Sequence, residues 1–384
     1  MKLMFTSDLH IRYGAYRFKD TLLNMKYLTE LAIKEKVDHF FILGDIFDTW
    51  TPIPAERRLF YLMIQDLLNS KISVYILIGN HDYKDHIENG NYSVVDYELL
   101  PFSGVRIFSE PQIHTIGNID IIAMPHLISP ILDKMKLGYE DTYIKILNNL
   151  YKKSKNGHKI IISHVLLKSI FPASEAREVD KKIFDTFNIP IFLGDVHKPL
   201  TFRNDPFMGY VGSPCRISFA EYEDKKRAII YDTATGKVNE AHIPNRNYLV
   251  MKINLQDLKI LIEGEGISDS INLQDRTTES LISFFQNSKS IIKDSVLQIN
   301  ILGLYNELLY IDKLSILSTI KKCEPYYLKG VKFEVIDNKI EIKQSYKNFK
   351  QKSMQDIFEE WCKINNYPNE FSIKFKEEIT KICK

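Results

Sequence analysis

Through about residue 245, short apolar runs alternate with stretches of helical spacing. The runs Lys2–Thr6, His39–Leu43, Val74–Ile78, Ile119–Met124, Lys159–Ser163, Ile189–Leu193 and Arg227–Tyr231 predict strands. Several are apolar on consecutive positions, as strands covered on both faces should be. Between them, Phe18–Glu35 and Ala55–Asn69 repeat apolar residues at helical spacing, the second after the breakers Pro52 and Pro54. Strand and helix in alternation predict an α/β fold.

The pattern changes near Pro244. Strands are expected at Tyr248–Asn254, Ser295–Leu302 and Val331–Ile336, helices at Thr278–Gln286 and Asp312–Lys322, and a loop after the first strand. This reads as a small α+β unit over residues 246–342, behind a first domain of 1–245. The lysine-rich stretch 343–353 reads as a linker. Two helical patterns over 354–384, Met354–Asn365 and Glu370–Ile382, predict a hairpin that cannot bury its apolar face alone and is expected to dock on a partner.

Composition narrows little. The 384 residues exceed one ordinary core, and 51 basic against 49 acidic side chains neither favour nor exclude nucleic acid. The cysteines Cys215, Cys323, Cys362 and Cys383 form no metal-like spacing and read as the reduced thiols of a cytoplasmic protein. The N-terminal apolar run is broken at once by Asp8 and His10, so no signal peptide is expected, and no apolar stretch suits a membrane span.

The chemistry lies where strands end. Asp8 and His10 follow the first run, Asp45 the second, Asn80 and His81 the third, His164 the run beginning at Lys159, and Asp195 and His197 the run beginning at Ile189. Neighbouring strands of one sheet would gather these groups at its carboxyl edge. Gly44, Gly79 and Gly194, each just before a ligand position, are expected to serve turns with unusual backbone angles. Two divalent cations held about 3.5–4 Å apart can clamp both oxygens of a phosphoryl displacement. They need a bridging carboxylate, and Asp45, with candidate ligands before and after it in the chain, suits that place. Any single piece is more simply a turn or a satisfied histidine; all of them in this order are not.

The series Asp8-Leu9-His10, Gly44-Asp45-Ile46-Phe47-Asp48, Gly79-Asn80-His81-Asp82, His164 and Gly194-Asp195-Val196-His197 resembles the calcineurin-like metallophosphoesterases. Ser7-Asp8-Leu9-His10 at the N-terminus, Tyr210-Val211-Gly212-Ser213-Pro214 with Arg216 after it, and the added C-terminal units make the chain look like their SbcD-type branch. Members of that branch are the nuclease components of DNA double-strand-break complexes, tailed phages among their sources. The resemblance is strong to about residue 235 and architectural beyond.

It implies a four-layer αββα sandwich, a DNA-capping unit and a C-terminal hairpin gripping a coiled-coil ATPase. It also implies two divalent ions, manganese or magnesium. Asp8, His10, Asp45 and His197 would hold one, and Asp45, Asn80, His164 and Asp195 the other. His81 would stay off the metals, face the scissile phosphate, and stabilise its charge or protonate the leaving 3′ oxygen. Asp48 and Asp82 would orient imidazoles. The implied activity is 3′-to-5′ exonuclease and single-strand endonuclease in DNA repair, recombination and replication. A homodimer would use helices at Ala55–Asn69 and Tyr92–Leu99.

One position departs: the family's histidine before x-His is Asp195 here, an oxygen donor that shifts preference toward manganese or magnesium. Arg12, Arg17, Lys198, Arg203 and Arg216 flank the ligand loops and are candidate contacts to a DNA backbone. The other readings are a protein phosphatase or cyclic-nucleotide phosphodiesterase on the same metals, or a scaffold that has lost catalysis.

Overall fold

The computed structural model describes residues 1–83, 102–168, 170 and 177–336. Its strands begin with β1 (Lys2–Thr6), β2 (His39–Leu43), β3 (Ser73–Leu77), β4 (Val105–Phe108), β5 (Gln112–Ile116), β6 (Ile119–Met124) and β7 (His158–His164). The two-residue pair β8 (Leu166–Leu167) and β9 (Glu178–Val179) follows, then β10 (Ile191–Gly194), β11 (Leu200–Asn204), β12 (Phe207–Tyr210), β13 (Arg227–Asp232) and β14 (Lys237–His242). Beyond them come β15 (Tyr248–Asn254), β16 (Lys259–Gly264), β17 (Ile267–Asn272), β18 (Val296–Gly303) and β19 (Tyr327–Val335). The helices are α1 (Phe18–Lys34), α2 (Pro54–Asn69), α3 (Ser129–Met135), α4 (Tyr139–Lys153), α5 (Lys182–Asp185), α6 (Thr278–Asn287), α7 (Lys289–Ile292), α8 (Tyr305–Tyr310) and α9 (Lys313–Lys322).

Two six-stranded sheets, ordered β14-β13-β1-β2-β3-β4 and β11-β12-β10-β7-β6-β5, lie face to face. Their inner faces share one dry core: Phe5, Phe41 and Leu77 from the first sheet meet Ile121, Ile162 and Phe192 from the second. The Phe5 and Phe192 rings stack at 3.9 Å. The outer face of the first sheet packs on α1 and α2 through Met25, Leu28, Phe60 and Leu67, and that of the second on α4 and α5 through Tyr143, Leu147 and Phe184. The layers are therefore α, β, β, α. Burial on both faces explains why the strand runs are apolar at consecutive positions.

From Tyr248 onward the chain builds a separate five-stranded sheet, β17-β16-β15-β18-β19, with its own core of Leu249, Ile299, Leu281, Ile316 and others under α6 and α9. The expected loop after β15 is instead the hairpin β16–β17. Gly266 sits in its turn at φ +67°. β16 alternates buried and exposed residues, but β17 (Ile-Ser-Asp-Ser-Ile-Asn) is an edge strand paired through its backbone, with only Ile267 and Ile271 packed on the core to announce it.

This unit is fastened to the sandwich by specific groups. The Arg246 guanidinium donates to both carboxylate oxygens of Asp20 on α1, at 2.9–3.1 Å, and lies over the Tyr326 ring at 3.6 Å. Tyr16 stacks on Tyr327 at 4.5 Å. The linker 343–353, the hairpin 354–384 and Tyr92–Leu99 lie outside the described residues. No helix among the described residues is long and apolar enough to cross a membrane. Cys215 and Cys323 are buried free thiols.

Candidate metal centre

The ligand-bearing strands are not neighbours in one sheet, as the sequence pattern suggests. β1, β2 and β3 belong to the first sheet, β7 and β10 to the second. Strands are parallel within each group, and the groups meet at one rim of the sandwich. Cross-sheet bonds hold the rim: the His164 Nδ1–H donates to the Leu43 carbonyl at 2.7 Å, and Asp195 N–H donates to Asp8 Oδ1 at 3.2 Å.

The loops leaving these strands are sharply turned. Asp8, His10, Asp45 and Asp195 all adopt positive φ, 53°, 42°, 53° and 97°. Such backbone is uncommon outside glycine and is held only where neighbours over-determine it. Of the three glycines, Gly44 has the expected left-handed backbone, φ +93°. Gly79 and Gly194 do not; they are required for close approach. A methyl group at Gly79 would collide with Asp45 Oδ1, and one at Gly194 with the Leu43 carbonyl.

Asp8, His10, Asp45 and His164 are buried. Asp45 stands between two imidazoles: Oδ2 lies 3.5 Å from His10 Nε2, and Oδ1 lies 3.5 Å from His164 Nε2. A neutral imidazole has one N–H, and His164 uses it on Leu43. Its Nε2 is then an acceptor, yet it faces Asn80 Oδ1 at 2.9 Å, Asp45 Oδ1 and, at 3.7 Å, Asp195 Oδ1. The second cluster repeats the conflict. His197 gives its Nδ1–H to Glu221 Oε1 at 3.1 Å, and its Nε2 faces His10 Nε2 at 3.1 Å. Acceptors converging on acceptors need a cation or extra protons between them. The donor set of imidazole, carboxylate and amide suits a divalent ion, so the residues fit the group that the sequence implies. Asp8, His10 and His197 form one cluster whose ligand atoms lie within 4.8 Å of one another, Asp8, Asp45 and His164 another, and His10, Asp45 and the exposed His81 a third.

The electrostatics show the same demand. Burial opposes charge on Asp45, but His164, His10 and His81 overcome it and hold the carboxyl below its usual range. Burial, then repulsion from Asp45 and Asp8, pushes Asp195 up to about 6. Burial would lower His164, but Asp45, Asp195 and Asp8 raise it well above an ordinary histidine. Crowded acceptors and carboxylates of this kind pose the demand that a bound cation would meet.

His81 sits exposed at the rim. Its Nδ1–H donates to the Asp48 carbonyl at 2.9 Å, which leaves Nε2 unspent, and its ring meets His10 edge-on at 4.7 Å. Asp48 lies 3.3 Å from His10 Nδ1 and binds Arg12 and Arg17 at 2.7 and 2.9 Å. Asp82 touches no imidazole. Its carboxylate accepts from the backbone N–H groups of Asp45, Ile46 and Gly79 at 2.8–3.0 Å, so it shapes the Asp45 loop instead. Burial and the Asp45 charge push Asp82 up to about 6.

Three basic candidates for DNA contact are already engaged by the protein's own groups. Arg216 is fully buried and donates to the carbonyls of Glu221, Asp224 and Arg246. Arg17 is buried on Asp48 and the His10 carbonyl. Arg203 staples the Phe187, Ile189 and Pro206 carbonyls. Arg12 and Lys198 are exposed. Sequence reasoning missed Glu221 and Lys226, because Glu221-Tyr-Glu-Asp-Lys-Lys226 reads as a solvated charge run. Lys226 is fully buried, and its Nζ donates to Glu221 Oε2, Ser213 Oγ and the His197 carbonyl.

Residues 1–199 match the family model described as calcineurin-like phosphoesterase. The chain is 25% identical over 266 residues to the SbcD component of the SbcCD nuclease of Staphylococcus saprophyticus, spanning 64% of this chain and 69% of that one. It is 25% identical over 293 residues to the DNA double-strand break repair protein Mre11 of Thermoplasma acidophilum, spanning 73% and 72%. With a rim of converging aspartate and histidine ligands on a double β-sandwich, and the family match over its first half, the chain belongs to the calcineurin-like phosphoesterases.

Proposed function

We propose that this protein is a two-metal DNA nuclease. It hydrolyses phosphodiester bonds as a 3′-to-5′ exonuclease and single-strand endonuclease, and it works with a coiled-coil ATPase in DNA end processing. The observation that carries the reading is Asp45, whose two carboxylate oxygens face two separate imidazoles, His10 and His164, at 3.5 Å each. Asp8 and His197 complete one donor set with that bridge; Asn80 and Asp195 complete the other. Bound there, a pair of divalent ions would polarise a phosphate and lower the pKa of water. His81, tied to Asp48 through Nδ1–H, presents Nε2 to the leaving oxygen, and as the doubly protonated imidazolium it gives up the Nε2 proton there. Arg12 and Lys198 remain on the surface for a backbone phosphate.

The names of the relatives support DNA as substrate and an SbcC-type ATPase as partner. In this reading residues 246–342 cap the DNA, 354–384 grip the ATPase, two chains pair, and the complex acts in the cytoplasm. Manganese is favoured, with magnesium as the alternative, because Asp195 gives the second set three oxygen donors to one nitrogen.

The test is a nuclease assay on single-stranded and linear duplex DNA with manganese, run beside hydrolysis of para-nitrophenyl phosphate. Cleavage of DNA that disappears with chelation is expected; hydrolysis of the small ester alone would return the protein to the phosphatases. Titrating manganese into wild type and Asp195→His tests the ligand. Two ions are expected in both, and a single ion in wild type with two in Asp195→His would remove Asp195 from the set.

A further inference from the structure

The buried charges behind His197 form a continuous unit that ends outside the sandwich. The His197 Nδ1–H is accepted by Glu221 Oε1 at 3.1 Å. The other oxygen, Glu221 Oε2, receives Lys226 Nζ at 2.7 Å, and the same ammonium holds the His197 carbonyl at 3.0 Å. Ring and backbone of this residue are thus gripped by one ion pair. Burial opposes charge on Glu221, but His197 and Lys226 overcome it and bring the carboxyl down to about 2.

The turn carrying Glu221 is held in its turn by Arg216. This guanidinium donates to the carbonyls of Glu221 at 3.0 Å and Asp224 at 2.8 Å. It also reaches the β15–β19 sheet unit: it pairs with the carboxylate of Glu265 in the β16–β17 turn and donates to the Arg246 carbonyl at 2.8 Å. Tyr248, at the start of β15, donates back to the Arg216 carbonyl at 3.2 Å. An arginine with no solvent exposure, fully engaged between two folded units, suits a rigid link better than a surface contact.

We infer that Glu221, fixed by Lys226 and Arg216, is the positioning residue of His197, and that through Arg216 and Glu265 the C-terminal sheet unit sets the geometry of the Asp8–His10–His197 site. The inference rests on the two-metal reading. Carboxylates behind a ligating histidine fix its tautomer and aim its ring. Here that carboxylate belongs to a turn whose position depends on a second unit. A tilt of that unit about Arg246 draws on Arg216 and displaces the Glu221 turn, loosening one ligand of one ion while the Asn80–His164–Asp195 side stays in place. The coupling acts on a single site, which separates it from general destabilisation.

The experiment is manganese titration of the metal-free, full-length protein by calorimetry, with electron paramagnetic resonance of the coupled ion pair as a second readout. Glu221→Gln is expected to weaken one binding step roughly 10–100-fold and leave the other unchanged. At two equivalents of manganese, the coupled-pair signal gives way to that of a single ion. Glu265→Gln, on the far unit, is expected to weaken the same step. The double variant should lose little beyond Glu221→Gln alone, because both substitutions act through one element. Unchanged titrations in Glu265→Gln overturn the link to the second unit. Equal weakening of both steps, or a lowered melting temperature with both steps intact, overturns the positioning role. If Glu221→Gln does not fold, Glu265→Gln and Arg216→Lys carry the same comparison. A wild type that takes up fewer than two ions overturns the two-metal reading itself.

Discussion

At the residue scale, His81, His164 and His197 each give Nδ1–H to a protein oxygen and leave Nε2 facing the candidate centre. His81 ties Nδ1 to the Asp48 carbonyl and stands exposed beside the buried His10 and Asp45, with which its ligand atom clusters. His81→Ser is therefore expected to cut DNA cleavage about 10²–10⁴-fold, the usual worth of a general acid, while manganese affinity stays at the wild-type value. Parallel calorimetry and nuclease rates check this; a fall in metal affinity instead would move His81 among the ligands. His164 and His197 are both raised above ordinary histidine by the surrounding carboxylates. Each must lose its extra proton before Nε2 can bind an ion. Metal uptake is expected to release protons and to weaken as pH falls through these raised values. Calorimetry in buffers of different ionisation enthalpy counts the protons; a pH-independent affinity would contradict the assignment.

At the element scale, the strand-to-loop junctions carry the precision. Gly79 and Asp82 together shape the Asp45 loop, one by having no side chain and one by accepting three backbone N–H groups. Gly79→Ala is expected to lower the melting temperature and abolish binding of the ion pair, read by thermal melts and metal analysis.

A second clamp lies far from the site. Asp120 in β6 accepts from Thr115, Ser154 and Asn156 side chains and from the Lys155 and Asn156 backbone, tying the β5–β6 hairpin to the end of α4. Burial opposes its charge, but these donors hold the carboxyl below its usual range. A depressed carboxyl stabilises the fold above its unfolded pKa of about 3.9, and that contribution is lost as pH falls through the folded value. Asp120→Ala should cost about 1–3 kcal/mol at pH 7 by stranding those donors. The gap to wild type should narrow below about pH 4. Denaturant melts at both pH values check it, and a gap that widens in acid would refute it.

Legibility follows the same physics. β1, β2, β6 and β15 were visible to the residue because strands buried on both faces must be apolar at successive positions. β17 was not, since an edge strand is recorded in backbone pairing rather than side chains. The ligand positions were readable because each stands just beyond an apolar run. Their split between two sheets was not, because nothing local says which strands pair. Glu221, Lys226 and Arg216 were hidden for another reason: a charged residue looks solvated until its partners, distant in sequence, are known.

At the scale of the whole molecule, ion binding and folding are linked. The donor sets exist only when both sheets are packed, so free ions stabilise the folded state alone. At a free ion concentration of 100 times Kd, one site is worth about 2.7 kcal/mol. Manganese is expected to raise the melting temperature and chelation to reverse it, by scanning calorimetry; an unchanged melt would mean that no ion is held in the native state. The Arg246–Asp20–Tyr326 junction fastens the second unit to the sandwich. Arg246→Ala strands a buried carboxylate and should cost about 3–5 kcal/mol.

The cross-sheet bond between Asp195 and Asp8 joins residues 187 positions apart. Such a contact closes last, because the chain between its ends must be ordered first. A ribosome releasing this chain from its N-terminus presents Asp8, His10 and Asp45 long before Asp195 and His197 exist. The nascent polypeptide thus carries part of the candidate metal centre before the rest of it exists. The order of synthesis therefore fixes when the donor sets can first close: only after residue 197 has been made and both sheets have packed.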